Sequence, residues 1–144
     1  HVSERAVREI YIRGFEIAIK ESRPMSIMTS YNLLNGVHTA NSYDLIQAAA
    51  RDEWGFDGVV MTDWYTSQDQ PAMTGNAKVI YPISASTGCI YAGNDIQMPG
   101  CLKNAEDIVN AVKTGDKIDG YRVTTADLQQ NAANVIRAAI RADV

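Results

Sequence analysis

An α/β fold with a parallel sheet is what this sequence predicts, on three observations. Apolar positions at helical spacing alternate with short apolar runs, and the connections between them are short, as in βαβ units. The 144 residues, 46% hydrophobic and 21% charged, have the composition of one globular domain at most, long enough to bury a core. One apolar run, Gly58-Val59-Val60-Met61, then ends on Thr62-Asp63-Trp64, a carboxylate followed by a large aromatic. That is where a barrel of parallel strands presents a catalytic group.

Each element has its own signal. Ser3 caps a first helix with Glu4 in its opening turn. Val7, Ile10, Tyr11, Gly14, Phe15 and Ala18 follow at helical spacing, and Arg23-Pro24 stops the run. Residues 25–29 read as a strand. The loop after it contains Asn35-Gly36, a turn dipeptide that tolerates positive φ. Asn41 with Asp44 resembles a capping box and opens a helix through Leu45, Ile46, Ala49 and Ala50 to Glu53. Gly55 and Gly58 bracket the turn into the strand at 59–62.

From Tyr65 to Gly88 the pattern gives way to polar residues, Gly and Pro, with a short helix expected near 68–73. Residues 89–92, Cys89-Ile90-Tyr91-Ala92, read as the third strand, ending at Gly93-Asn94-Asp95. Asn104 with Asp107 opens a helix over 105–113, closed by Gly115. Thr124 with Asp127 opens the last, with Leu128, Ala132, Val135 and Ala139 along one side and Ile136 and Ile140 beside them.

About three strands cannot close a barrel, which needs eight strands and about 250 residues. The sequence is therefore a small open α/β domain or part of a (β/α)8 TIM-type barrel. His1-Val2-Ser3 leads directly into a helix without an initiator Met, which favours part of a barrel. A net charge of −4 and no basic cluster argue against a nucleic-acid partner. No apolar stretch approaches the roughly 18 residues of a membrane span, so no membrane partner is expected. Cys89 and Cys101 have no metal-ligand spacing and read as free, partly buried thiols. With no metal constellation and no phosphate-binding Gly loop, no cofactor is expected.

The candidate chemistry centres on Asp63. A strand-ending Asp is either a turn cap or a presented carboxylate, and its surroundings decide. Met28-Thr29-Ser30-Tyr31-Asn32-Leu33-Leu34-Asn35-Gly36 precedes Arg51-Asp52-Glu53-Trp54-Gly55-Phe56-Asp57-Gly58, then Met61-Thr62-Asp63-Trp64. This series resembles the β-glucosidases of glycoside hydrolase family 3. Their barrel carries a Tyr-Asn-x-x-Asn-Gly loop, an Arg-x-Glu-Trp-Gly-Phe-x-Gly turn and a Ser/Thr-Asp-Trp strand end. The resemblance runs from about Ser3 to at least Asn134 and includes Ala92-Gly93-Asn94-Asp95-Ile96-Gln97-Met98-Pro99.

The resemblance implies a retaining glycosidase acting on a β-glucoside or related oligosaccharide, in which one carboxylate attacks the anomeric carbon and a second serves the leaving oxygen. Asp63 matches the nucleophile. Tyr31 is expected near it, or is a half-buried barrel tyrosine. Trp64 is a platform beside the leaving-group sugar, or a core tryptophan. Met28 lines the same pocket, although a strand Met is more often core. Asp95 touches ligand or orients a loop. Arg51 ties down the turn before the strand, and Trp54, Gly55, Phe56 and Gly58 form that turn at the barrel floor. His38 has no Ser or Cys nucleophile on a strand–turn–helix elbow, so a triad is not expected.

The resemblance also implies what is missing. Nothing matches the family's upstream sugar-holding Arg, Lys-His pair and further Asp, nor the acid/base residue of a second domain. Residues 1–144 are thus expected to be a C-terminal part of one barrel domain, without the upstream half and the downstream α/β domain. The isolated chain is expected to be inactive. A non-catalytic carbohydrate-binding or assembly domain on the same scaffold is the competing expectation. Ile27, Val59 and Met61, expected to face an uncovered barrel interior, and the open sheet edges would invite a homodimer. The compartment, cytoplasmic or secreted, is left open.

Overall fold

The computed structural model describes residues 1–66 and 84–143. The helix expected near 68–73 lies outside them. The chain opens with α1 (Glu4–Ala6), capped by the Ser3 hydroxyl, which accepts the Ala6 N–H. A wider turn with i→i+5 bonding, Val7–Tyr11, leads into α2 (Arg13–Ser22). Strand β1 (Ser26–Met28) comes next, then a hairpin of β2 (Leu33–Leu34) and β3 (Val37–His38). Asn35 and Gly36 both have positive φ, 50° and 89°, which is the backbone a tight two-residue hairpin turn demands. Helix α3 (Asp44–Glu53) is followed by β4 (Val59–Met61), α4 (Ser86–Ala92), α5 (Leu102–Thr114) and α6 (Thr125–Ala142).

Strands β1 and β4 pair in parallel, with Ser26 opposite Val59, Ile27 opposite Val60 and Met28 opposite Met61. Gly58 permits this approach, because a Cβ there would stand 2.4 Å from the Met25 carbonyl oxygen. On the other side of β4, Ile96 bridges Met61 in parallel; its N–H donates to Val60 O at 3.1 Å and its carbonyl accepts Thr62 N–H at 2.9 Å. The order is thus β1, β4, Ile96, all running one way.

That third strand position corrects the sequence reading. Residues 89–92 are helical, the end of α4. A short apolar run bounded by turn residues does not distinguish a buried strand from a buried helix. Here Cys89 and Ala92 are fully enclosed and Ile90 nearly so, so the helix is covered on several sides and shows no one-sided period. Cys89 is buried and Cys101 exposed, and both are free.

Two caps are also corrected. Asn41 does not open α3; Ser42 Oγ accepts the Leu45 N–H, while Asn41 exchanges two hydrogen bonds of 2.9 Å with the backbone of Ala85, at the start of α4. Asn104 is buried within α5, donating to Gln97 Oε1, and Asp107 pairs with Lys103. The Thr124–Asp127 capping box is present as read.

The core lies between β4 and the helices: Ile19, Ile46, Ala50, Phe56, Val60 and Ala92, with Ile27 and Trp54 packed against it. Ile27 therefore faces helices, not an uncovered interior, and Val59 is buried as well. A second cluster, Ile90, Ala111 and Val123, joins α4 to α5 and the segment before α6. Helix α6 turns Asn131 and Asn134 inward and leaves Ile136 and Ile140 exposed. Chemistry explains the inversion. Asn131 donates to the Ile90 and Asn94 carbonyls at 3.3 Å each, acceptors in and just after α4.

Candidate active site

Parallel strands bring their C-terminal ends to one edge, and three segments meet there: Thr29 to Tyr31 after β1, Thr62 to Tyr65 after β4, and Gln97 to Met98 after Ile96. Hydrogen bonds lock them together. Thr29 N–H donates to Met61 O at 2.9 Å, Met98 N–H donates to Thr62 Oγ1 at 2.9 Å, and Tyr65 N–H donates to Met98 O at 2.8 Å. Thr62 is fully buried, so its hydroxyl serves as an internal anchor.

Asp63 sits between these clamps, partly accessible. The Tyr31 hydroxyl carries one proton and shares it between two acceptors, the Asp63 carboxylate and the Trp64 carbonyl. Loss of solvent, then the Asp63 charge and that hydrogen bond, push the Tyr31 phenol above its ordinary pKa. Tyr31 therefore stays a proton donor where Asp63 is an acceptor. Trp64 is 47% exposed, its ring crossed edge-on by Tyr65 at 5.5 Å between centroids. Tyr31, Asp63 and Trp64 are thus brought together.

Met28 and Asp95 are placed differently. Met28, on β1, lines an apolar cavity of about 430 Å³ shared with Tyr11, Phe15, Leu45 and Trp54; Tyr31, Asp63 and Trp64 do not line it. Asp95 points inward. Its carboxylate is fully enclosed, 2.6 Å from Arg51 Nη2, and accepts Val60 N–H and Asn134 Nδ2, each at 2.8 Å. Burial raises its pKa, while the Val60 N–H, the Arg51 charge and the Asn134 amide pull it back. Arg51 also donates to the carbonyls of Gly58 and Gly93, so it ties down the turn before β4, as its place in the sequence suggested. Of the two roles open to Asp95, orienting a loop is the one this geometry supports.

Thr62, Tyr65 and Asn134 were not singled out by sequence. Thr62 carried a signal within the strand-end motif. Asn134 did not, because a helix polar residue reads as surface until its partner is known. Among the described residues no group of three or more His, Cys, Asp or Glu is gathered as a metal would require, and no helix is long and apolar enough to cross a membrane.

The fold recurs in known proteins. Residues 1–138 match the model of the glycosyl hydrolase family 3 N-terminal domain. The chain belongs to glycoside hydrolase family 3. It is 38% identical over 128 residues to an exo-α-(1→6)-L-arabinopyranosidase of Bifidobacterium longum, covering 84% of this chain and 17% of that protein. It is 36% identical over 137 residues to a β-glucosidase of Ruminococcus albus, covering 93% of this chain and 13% of that one.

β-Glucosidase 3B of Thermotoga neapolitana, solved in complex with glycerol, superposes with a TM-score of 0.77 at 34% identity, over 96% of this chain and 18% of that one. The fold is accordingly the α/β fold of family 3 barrel enzymes, with the described parallel strands forming part of a (β/α)8 TIM-type barrel. The chain spans less than a fifth of each of these relatives.

Proposed function

We propose that this chain is the C-terminal part of the catalytic barrel of a retaining family 3 glycosidase, with Asp63 as its nucleophile. The observation that carries the reading is the Tyr31 hydroxyl on the Asp63 carboxylate at the shared strand ends. A nucleophilic carboxylate must be ionised and aimed, and a hydroxyl donor favours both. One Asp63 oxygen attacks the anomeric carbon, the bond to the leaving oxygen breaks, and a second carboxyl group supplies the proton to that oxygen. Water, deprotonated by the same second group, then releases the sugar and regenerates Asp63. Trp64 offers its exposed face to the leaving group.

The substrate is a terminal sugar whose leaving oxygen lies equatorial on the pyranose chair. A β-D-glucoside and an α-L-arabinopyranoside, the substrates in two relatives' names, share that feature. One attack trajectory, from the opposite face, serves both.

The second carboxyl group and the sugar-holding side chains belong to other parts of the enzyme, so these 144 residues alone are inert. Loss of a general acid alone costs on the order of 10²–10⁴ in rate. Expressed within its full reading frame, the protein cleaves an aryl β-glucoside, and Asp63→Ala lowers kcat by about 10³-fold or more. Hydrolysis by the isolated chain, or full activity of the Asp63→Ala enzyme, contradicts the proposal.

A further inference from the structure

Tyr65 has a conformation that its side chain does not favour. Its φ is +62°, in the left-handed region where glycine is at ease and a bulky residue is an outlier. Such a conformation persists only where the surroundings over-determine it, and they do so here. The peptide joining Trp64 to Tyr65 is held at both polar groups: its carbonyl accepts from the proton that Tyr31 shares with Asp63, and its N–H donates to Met98 O at 2.8 Å. One peptide plane is thereby pinned between the chain after β1 and the chain after Ile96.

The left-handed turn has a consequence for the rings. Consecutive side chains of an extended chain point to opposite faces. With Tyr65 turned back, its ring meets that of Trp64 edge-on, with centroids 5.5 Å apart and planes at 84°. Edge-to-face contact is a favoured aromatic geometry, and it fixes the indole plane as well as its position. Tyr65 is half-buried, whereas Trp64 is 47% exposed. One ring is lodged against the protein; the other is left open for a ligand. Glycine would satisfy the backbone without strain, but it would leave the indole free to rotate.

We propose that Tyr65 is a positioning residue that sets the Trp64 platform, and so determines how well the site takes planar or aromatic leaving groups. This rests on the reading of Trp64 as a leaving-group platform, and it adds a residue with no direct contact to substrate.

The test is a double-mutant cycle in the full-length protein that carries this chain, read by calorimetric binding of a non-hydrolysed aryl β-thioglucoside. Tyr65→Gly is expected to weaken binding by about 3- to 10-fold, the scale of one aromatic pair. Tyr65→Phe, which keeps the ring, restores the affinity. In a Trp64→Ala background Tyr65→Gly costs nothing further, because there is no indole to orient. The unfolding temperature of Tyr65→Gly changes little, since relief of the strained φ offsets the loss of the ring's packing.

Unchanged affinity in Tyr65→Gly, or an equal loss with and without Trp64, overturns the proposal. Absence of thioglucoside binding by the unsubstituted protein overturns it together with the sugar-site reading. Hydrolysis that survives Asp63→Ala removes only the nucleophile assignment, and the cycle is still read on its own numbers.

Discussion

At the scale of single residues, Tyr31, after β1, and His38, at the end of β3, take different roles. The Tyr31 hydroxyl meets a carboxylate, and a hydrogen bond to a charged group is worth about 1.5–3 kcal/mol. Tyr31→Phe should therefore lower kcat/KM of the full-length enzyme by about 10- to 100-fold while the fold survives, as steady-state kinetics with circular dichroism will register. His38 is buried, accepts the Ala40 N–H at Nδ1, and has its Nε2 without a hydrogen-bond partner among the described residues. Its neutral form is the one the fold accommodates, and burial lowers its pKa from 6.5. The unfolded chain then takes up the proton first, so His38 erodes stability as pH falls through the unfolded value near 6.5 and below. Between pH 7.5 and 5.5, roughly bracketing that value, His38→Gln should flatten the decline in unfolding temperature, and an unchanged slope would refute the account.

At the scale of elements, the Arg51–Asp95 pair joins α3, β4 and the Ile96 strand, and Asn134 adds α6 to it. Removing one member strands a buried charge, which typically costs about 3–5 kcal/mol. Asp95→Leu is expected to lose about that much in urea unfolding, and Arg51→Met with Asp95→Leu distinctly less than the sum of the single changes. Additive losses would argue against a coupled pair. The strands at β1 and β4, the Asn35-Gly36 turn and the Thr124 cap were legible because each depends on local chemistry. The strand at Ile96 was not. It contributes little more than one bridged residue, and the long-range contacts of Val60 and Met61 define it. The identity of 89–92 as helix depended on burial from several sides, and the inward face of α6 on acceptors at Ile90, Asn94 and Asp95, distant in sequence. At the mouth, the motif pointed to Asp63, Trp64 and Tyr31 together. It could not tell that Asp95 turns inward, since a carboxylate after a strand reads alike whether it faces solvent or a buried arginine.

At the scale of the whole molecule, three chain segments distant in sequence present their ends on one edge of a parallel sheet, and under the proposed function that edge is the catalytic mouth. Some faces are not covered by the described chain. Ile10 and Ile140 are 71% and 66% exposed, and the apolar cavity beside β1 opens between α2 and α3. The family 3 relatives are several times as long as this chain, and under the proposed function the acid/base partner of Asp63 lies elsewhere in the enzyme. The nucleophile is the central claim, and covalent trapping tests it most directly. A 2-deoxy-2-fluoroglycoside with a good leaving group slows release of the glycosyl-enzyme, so the attacking oxygen keeps its sugar. Incubated with the full-length protein and mapped by peptide mass spectrometry, it should add one fluoroglycosyl group to the peptide containing Thr62-Asp63-Trp64, on Asp63. Label on a different carboxylate would contradict the assignment.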